Sequence, residues 1–222
     1  MYERNQIFAD RPEAGRRLAE RLRTMALADP VVLALPRGGV PVGYEIAREL
    51  KAALDVLLVR KIGAPGQEEF ALGAVVEAEP ALVVLNKAVP RRFTSYIQDE
   101  VARQAEEIER RRQAYRAGRP LLSVAGRTAI VVDDGIATGA TFRAALEAMK
   151  QLDAARVIAA IPVAPAESLA AIEGLADEVV CLATPEPFYA VGLHYGDFSQ
   201  TTDEEVIDLL KQAAAFSQAS AA

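Results

Sequence analysis

The sequence predicts an α/β protein in which helices flank a parallel β-sheet. Short apolar runs typical of buried strands alternate along the chain with segments whose apolar residues recur every three or four positions, as on amphipathic helices. Strands that alternate with helices form parallel sheets, because each helix carries the chain back to the start of the next strand. Hydrophobic residues make up 51% of the 222 residues, which is enough for a substantial core. We therefore expect one domain, residues 1–222, whose sheet core covers about residues 31–182.

Charge and composition argue against several classes of function. The net charge of −6 disfavours a nucleic-acid backbone as the main partner. No apolar run approaches the ~20 residues of a membrane-spanning helix, and the polar N-terminal residues do not have the pattern of a secretory signal. Cys181 is the only cysteine, so no internal disulfide can form. We expect a cytoplasmic protein that binds neither nucleic acid nor membrane.

The first half of the chain alternates helices and strands as far as residue 61. A capping box with proline in the first turn, residues 10–13, predicts the start of a helix. The expected elements that follow are a strand over residues 31–35, a helix with Ile46, Leu50 and Leu54 on its apolar face, and a strand over residues 55–60. Residues 62–70 carry Gly and Pro punctuation and predict a loop. The apolar runs at residues 74–76 and 81–85 either pair as a hairpin or extend the sheet.

The second half adds two features to this alternation. Residues 94–117 are heavily charged with few apolar positions, and they predict a solvated helix inserted into the fold. Strands are expected over residues 156–161 and 178–182, with helices after residue 141 and over residues 167–175. Residues 184–202 are rich in aromatic residues, Gly and Pro, and we expect them to form a small C-terminal hood. A last helix is predicted to begin at the capping box of residues 202–205.

A strand, a turn of small residues and a helix start follow one another at residues 129–141, AIVVDDGIATGAT. The apolar run ends in Asp133 and Asp134, which we call the acid pair. The free amides and the positive dipole end of a helix start favour an anion such as phosphate, and Thr138 and Thr141 add hydroxyl donors. Because two carboxylates would repel that anion, we expect the acid pair to face sugar hydroxyls or a divalent metal.

This spacing resembles the ribose-5-phosphate signature of the type I phosphoribosyltransferases, which transfer the phosphoribosyl group of 5-phosphoribosyl-1-pyrophosphate (PRPP), usually to a nucleobase. The resemblance implies that the acid pair is catalytic and holds the ribose hydroxyls, directly or through Mg²⁺. The dinucleotide fingerprint and the P-loop do not fit, because the stretch lacks G-x-G-x-x-G and a closing G-K-[ST]. The PRPP-binding residues that the resemblance implies here are Asp133, Asp134, Gly135, Ile136, Ala137, Thr138, Gly139, Ala140 and Thr141.

Two basic segments are expected beside this turn, because ligands of open α/β sheets bind outside the carboxyl ends of the strands. The segment LPRGGV, with Arg37, Gly38 and Gly39, resembles the family's pyrophosphate loop, which often holds a non-proline cis peptide. Lys61 follows the next expected strand. The resemblance implies displacement of pyrophosphate at the anomeric carbon, with Mg²⁺, Arg37 and Lys61 neutralising the leaving group.

The aromatic segment PFYAVGLHYGDFSQ resembles the hood of purine phosphoribosyltransferases, where an aromatic residue stacks on the base just before a Val-Gly step. Tyr189 is the nearest match for the stacking residue, and Phe188 is the alternative. Asp197 matches an acid of the family only after a shift of one residue. The base-binding residues that the resemblance implies are Phe188, Tyr189, Ala190, Val191, His194 (the only histidine) and Asp197.

Two departures from the family pattern bear on the acceptor. Enzymes that take 6-oxopurines usually carry an Asp where this chain has Ala137, and a Lys after the next strand, where residues 162–165 are PVAP. Adenine and orotate enzymes lack that Asp as well and take catalytic groups from a mobile loop. Glu68 and Glu69 lie in the counterpart loop and are our candidates for the catalytic acid or base.

Three functions are compatible with these residues. The first is an Mg²⁺-dependent phosphoribosyltransferase that acts on a nucleobase. A homodimer is compatible with this function. The second is a PRPP-sensing regulatory or binding protein without turnover, although such proteins generally need a nucleic-acid-contacting module, and no segment of this sequence is basic enough or long enough to be one. The third is a sugar-phosphate-binding enzyme with a different acceptor.

Overall fold

The computed structural model describes residues 6–86 and 89–219. The α-helices of this part are α1 Arg11–Leu22, α2 Gly39–Leu50, α3 Thr94–Arg116, α4 Ala140–Gln151, α5 Ala166–Ile172 and α6 Asp203–Ala219. The strands are β1 Pro30–Ala34, β2 Ala53–Val56, β3 Val59–Ala64, β4 Gln67–Val76, β5 Leu82–Leu85, β6 Thr128–Val132, β7 Arg156–Val163 and β8 Glu178–Ala183. In the residues so described, none of the helices combines the length and the apolar character needed to cross a membrane.

Five strands form a parallel sheet in the order β2-β1-β6-β7-β8, which confirms the predicted fold class. Strands β1 and β6 are central neighbours, and Ala34 lies opposite Val132 in their register. The amide of Leu35 then donates to the Val132 carbonyl at 2.8 Å. Because the two strands end together, the segments that follow them emerge side by side at one edge of the sheet.

The core lies on both faces of this sheet. On one face, alternate residues of the central strands pack against helices α1, α2 and α6, through side chains such as Leu18, Ile46 and Val206. On the other face the intervening residues pack against α4 and α5, through Phe142, Leu146 and Ile172. Burial on both faces explains why these strands appear in the sequence as continuous apolar runs.

A second sheet, antiparallel and of order β3-β4-β5, was only partly predicted. The hairpin of residues 74–76 with 81–85 is confirmed, since Val76 pairs with Leu82. The single strand over residues 55–60 is wrong, because the chain changes sheets between β2 and β3. The loop over residues 62–70 is also wrong, because most of it is a hairpin that turns at Pro65 and Gly66. Leu54 belongs to β2 and not to the preceding helix, which ends at Leu50.

The charged helix α3 has the predicted bounds to within one residue, and its last residue anchors it. Arg116 is 4% exposed. Its guanidinium donates to Asp55 Oδ2 at 3.0 Å and, through the other terminal nitrogen, to Glu77. Asp55 belongs to the parallel sheet and Glu77 directly follows β4. This buried ionic cluster therefore joins α3 to both sheets.

The hood, residues 184–202, packs against the N-terminal part of the chain. The His194 carbonyl accepts hydrogen bonds from the amides of Ile7 (2.9 Å) and Phe8 (3.0 Å). The Phe8 ring lies 5.3 Å from the Tyr195 ring, centroid to centroid. Helix α6 then begins at the predicted capping box, where Thr202 and Glu205 exchange hydrogen bonds between side chain and backbone. This arrangement places α1 next to the hood.

Candidate active site

The central turn, residues 135–141, joins the carboxyl end of β6 to α4. Gly139 caps α4 with φ 69°, a left-handed conformation that favours glycine. Arg143 donates from its amide to the Gly139 carbonyl at 2.8 Å, so the amides just before it are those that a helix start leaves without an intrahelical partner. Thr138 is exposed and Thr141 half-buried at the same place. The turn therefore presents amides, hydroxyls and a positive dipole end to an anion.

The turn is held in place by the neighbouring strand and by the hood. The Ile136 amide donates to the Val163 carbonyl at the end of β7 (3.1 Å). Gly135 has φ 154°, and a Cβ at this position would lie 2.5 Å from a methyl carbon of Val191 in the hood. A side chain at residue 135 would therefore collide with the hood. The contact brings the predicted PRPP turn and the predicted base-binding segment together.

The acid pair lies between the turn and helix α1. Asp133 Oδ1 accepts from the Asp134 amide at 2.9 Å, and Asp134 Oδ2 accepts from Nε of Arg11 at 2.8 Å. Burial, with the nearby charge of Asp134, raises the pKa of Asp133 well above its usual range. Burial also raises the pKa of Asp134, against the opposing charge of Arg11. Both carboxylates are thus destabilised by their surroundings.

Such a pair suits a hard cation. Mg²⁺ takes oxygen ligands and commonly uses one or two carboxylates together with substrate phosphates. A divalent charge would relieve the repulsion between Asp133 and Asp134, which share one polar site beside the central turn. These two residues therefore fit part of an Mg²⁺ shell that a phosphorylated substrate would complete.

The predicted pyrophosphate loop, residues 36–39, lies directly against the acid pair. The Pro36–Arg37 peptide bond is cis, the feature that the resemblance implied. A Cβ at Gly38 would overlap the Asp134 carboxylate, and one at Gly39 would lie 2.8 Å from the Val132 carbonyl oxygen. Only glycine allows this approach. The loop after β1 and the acids after β6 therefore form one continuous site.

Arg37 is held by a residue that the sequence did not indicate. Its Nη1 lies 3.7 Å from Oδ1 of Asp203, at the start of α6. The same oxygen accepts from the hydroxyl of Tyr115 at 2.5 Å. Burial, with the hydrogen bond to Asp203, raises the pKa of Tyr115 to about 12. The charged helix α3 therefore reaches the pyrophosphate loop through Asp203.

Lys61 does not lie where the sequence placed it. It is within β3 of the antiparallel sheet, opposite Ala74, and not at the carboxyl end of a parallel strand. Glu68 and Glu69 belong to the first residues of β4, and their side chains lie outside the described part of the structure. The roles of these three residues stay predictions.

The two candidate stacking residues differ in exposure. Tyr189 is 61% exposed, so its ring is accessible to a ligand. Phe188 packs inside the hood, with its ring centroid 5.1 Å from that of His194. His194 is 4% exposed, and neither of its ring nitrogens has a hydrogen-bond partner in the described structure. Tyr189 is therefore accessible and Phe188 packs within the hood, while the stacking role of either residue stays a prediction.

The remaining base-binding candidates of the hood also differ in exposure and in contacts. Val191 is half-buried and borders the PRPP turn at Gly135, whereas Ala190 is exposed. Asp197 instead serves its own loop, because Oδ1 accepts from the Ser199 amide at 2.9 Å. That backbone hydrogen bond lowers the pKa of Asp197. The assignment of Asp197 to the base site stays a prediction, and its observed contact is the hydrogen bond within its own loop.

Sequence reasoning missed four residues of the site. Arg11 binds Asp134 across a separation of 123 residues. The Tyr195 hydroxyl donates to the Asp134 carbonyl at 2.6 Å, the Ser168 hydroxyl donates to the carbonyl of Ala137, and Asp203 pairs with Arg37. Arg11 and Asp203 lie within the capping boxes of residues 10–13 and 202–205, and Tyr195 lies within the hood segment. Those patterns predicted two helix starts and a hood, but not these contacts with the site.

Comparison with known proteins gives a family match and two curated relatives. The phosphoribosyl transferase domain family matches residues 3–195. Two proteins from Mycobacterium tuberculosis, of strains CDC 1551 and H37Rv, carry provisional names as phosphoribosyl transferases. Each is 47% identical to this chain over 211 residues, which cover 94% of this chain and 47% of the relative. The chain thus spans about half the length of these curated relatives.

A solved structure matches over almost its full length. The crystal structure of TT1426 from Thermus thermophilus is 46% identical and has a TM-score of 0.81 over 92% of this chain and 98% of that one. The agreement extends from the five-stranded parallel sheet to the flanking helices. With a family match over most of its length and relatives of such identity, the chain belongs to the phosphoribosyl transferase family.

Proposed function

We propose that this protein transfers the phosphoribosyl group of PRPP to a planar nucleobase-like acceptor and releases pyrophosphate. One observation carries the proposal: a helix start of the kind that binds anions, an acid pair and a glycine-rich basic loop meet at one edge of the sheet. PRPP contains a 5-phosphate, a ribose diol and a pyrophosphate, and each needs a different partner. Three such partners lie side by side here, at the central turn, at Asp133 and Asp134, and at residues 36–39.

The chain's own residues would do the following work. The amides and hydroxyls of the central turn bind the 5-phosphate, as helix starts bind anions. The acid pair accepts hydrogen bonds from the ribose hydroxyls and orients the anomeric carbon. Arg37 and the amide of Gly38 face the pyrophosphate, where negative charge develops as it leaves, while the Gly39 amide fixes the loop by donating to the Leu35 carbonyl at 3.0 Å. Mg²⁺, held in part by Asp133 and Asp134, would when bound neutralise charge on the pyrophosphate.

Arg37 would have to change partners during this reaction. Its contact with Asp203, at 3.7 Å on a half-exposed surface, contributes little stability, since exposed ion pairs are worth about 0–1 kcal/mol. A pyrophosphate, with several charged oxygens, is a stronger partner for a guanidinium. Asp203 would therefore hold Arg37 near the site in the free protein and release it to the substrate.

The PRPP assignment predicts that Thr138→Ala combined with Gly139→Val weakens PRPP binding at least tenfold, or roughly 1.4 kcal/mol. The first change removes a hydroxyl donor, and the second forces a β-branched residue into φ 69° at the helix start. Titration calorimetry with PRPP and Mg²⁺ measures the effect. Gly126→Val is the matched control, because Gly126 has φ 72° and a Cβ there would meet open space. An unchanged affinity in the folded double variant would contradict the assignment of the 5-phosphate.

The acceptor assignment predicts that Tyr189→Ala lowers acceptor affinity by roughly tenfold, because stacking of a base on an aromatic ring is worth about 1–3 kcal/mol. Tyr189→Phe retains the ring and should stay close to the parent. The measurement is the KM of each base in a panel of nucleobases. Hypoxanthine and guanine should be poor acceptors, since Ala137 replaces the acid that usually meets them.

The same panel tests Glu68→Gln and Glu69→Gln, one of which should slow turnover if residues 62–70 supply the catalytic acid. Efficient turnover of hypoxanthine that none of these variants affects would show that both the base pocket and its acid are wrongly placed. Tight PRPP binding without turnover on any base would instead favour a PRPP-sensing protein.

A further inference from the structure

Arg11 occupies a position that its sequence context did not indicate. It lies in the first turn of α1, yet its side chain is 10% exposed and faces away from solvent. Nε donates to Asp134 Oδ2 at 2.8 Å, and Nη1 donates to the Ser199 carbonyl in the hood at 2.7 Å. The guanidinium carbon lies 3.9 Å from the centroid of the Phe198 ring. One side chain therefore contacts the acid pair and the hood at the same time.

The Asp134 carboxylate is held on a second side as well. Gly38 of the pyrophosphate loop packs against it so closely that no Cβ would fit. Its own backbone is fixed, because the amide donates to Asp133 at 2.9 Å and the carbonyl accepts from Tyr195 at 2.6 Å. The orientation of the carboxylate is thus set by Arg11 on one side and by the glycine loop on the other.

We propose that Arg11 is a positioning residue of the PRPP site, which acts through Asp134. The inference rests on the proposed function, because it assigns Arg11 a role in PRPP binding. Arg11 binds Oδ2 and holds the Asp134 carboxylate at the pyrophosphate loop, so that Oδ1, the oxygen that Arg11 does not bind, is directed to the ribose. The hood in turn holds the guanidinium, through the Ser199 carbonyl and the Phe198 ring.

The chemistry of the contact explains why arginine is needed. A guanidinium is planar and has donors in a fixed fork, so it can bind Asp134 and Ser199 together while its face covers Phe198. A lysine could supply the charge to one partner only. Without any cation, two adjacent buried carboxylates would repel each other, and Asp134 would lose the partner that fixes its rotamer. PRPP would then meet a displaced acid and a more negative site.

The experiment is titration calorimetry with PRPP at one saturating Mg²⁺ concentration. The proteins are the parent, Arg11→Met, Arg11→Lys, Asp134→Asn and the double variant Arg11→Met with Asp134→Asn. Arg17→Met is the matched control, because Arg17 lies on the same helix and over the ring of Phe8, 5.3 Å from its centroid, while its ion pair is with Glu13.

We expect Arg11→Met to weaken PRPP binding at least tenfold, Arg11→Lys to fall between Arg11→Met and the parent, and Arg17→Met to stay within twofold of the parent. Because Arg11 acts through Asp134, the double variant should bind within about threefold of Asp134→Asn alone. A merely structural role would not produce this non-additivity. If Arg11→Met does not fold, a loss of threefold or more in Arg11→Lys supports the proposal, and parent-like binding overturns it.

Two results would overturn the proposal: parent-like binding by folded Arg11→Met, or losses that multiply in the double variant. A parent protein that binds no PRPP would overturn the proposed function, and this inference with it. A parent that binds PRPP while Arg11→Met binds equally well overturns the role of Arg11 alone.

Discussion

Asp133→Asn and Asp134→Asn should each slow phosphoribosyl transfer by about 10²–10³-fold, which corresponds to roughly 2.7–4 kcal/mol of transition-state stabilisation. Asparagine keeps the size of the side chain and one acceptor oxygen, but it loses the charge that favours a hydroxyl-bearing or metal-bound ribose. The loss should appear in kcat/KM for PRPP, because the acid pair lies where the ribose must be oriented. Steady-state kinetics with the best base of the panel measures it.

The Asp133→Asn substitution should not weaken the fold. Both carboxylates are partly buried beside each other, and the structure supplies Arg11 as a partner for Asp134. Replacing Asp133 by a neutral amide removes its charge repulsion with Asp134. The melting temperature of the Asp133→Asn variant should therefore equal or exceed that of the parent, because active sites often trade stability for activity. Asp29→Asn is the control, since Asp29 is an exposed acid paired with Arg127. If both acid-pair variants turned over at the rate of the parent, Asp133 and Asp134 would have no catalytic role and would form only a polar edge of the sheet.

The parts of the site that the sequence predicted are those that neighbouring residues determine. The run ending at Val132 is buried on both faces, so its apolar pattern is unbroken and its end is sharp. The acids, the turn and the helix start then follow without interruption. The closeness of residues 36–39 to the acid pair could also be predicted, because parallel neighbours end at the same edge of a sheet.

The parts that it did not predict depend on contacts between distant segments. The apolar run of residues 56–59 has no break in its pattern, yet Val56 pairs with β1 and Val59 pairs with β4. The periodicity of a strand does not reveal which strand it pairs with, so the change of sheet between β2 and β3 could not be predicted from the sequence. Arg11 and Asp203 show the same limit for side chains, since each contacts the site from a helix start far along the chain.

Arg116→Met should cost about 3–5 kcal/mol of unfolding free energy, the range for removing one partner of a buried ion pair. Asp55 and Glu77 would be left in the interior without their cation, and methionine supplies no hydrogen bond to either. Chemical denaturation at neutral pH measures the loss. Arg112→Met is the control, because Arg112 lies one turn earlier on α3 and pairs with the exposed Glu79 at 2.6 Å. That pair should contribute no more than about 1 kcal/mol.

The cost of Arg116→Met should also depend on pH in a defined direction. Burial raises the pKa of Glu77, and the charge of Arg116 opposes that rise, so the substitution should raise the pKa further. A carboxyl whose pKa is higher in the folded than in the unfolded protein contributes stability at low pH, and that contribution is lost as the pH rises through the folded pKa. The variant should therefore lose less stability relative to the parent at pH 5 than at pH 7. Denaturation curves at both pH values test this, and a cost that is equal or larger at pH 5 would show that Glu77 is not the group left unpaired.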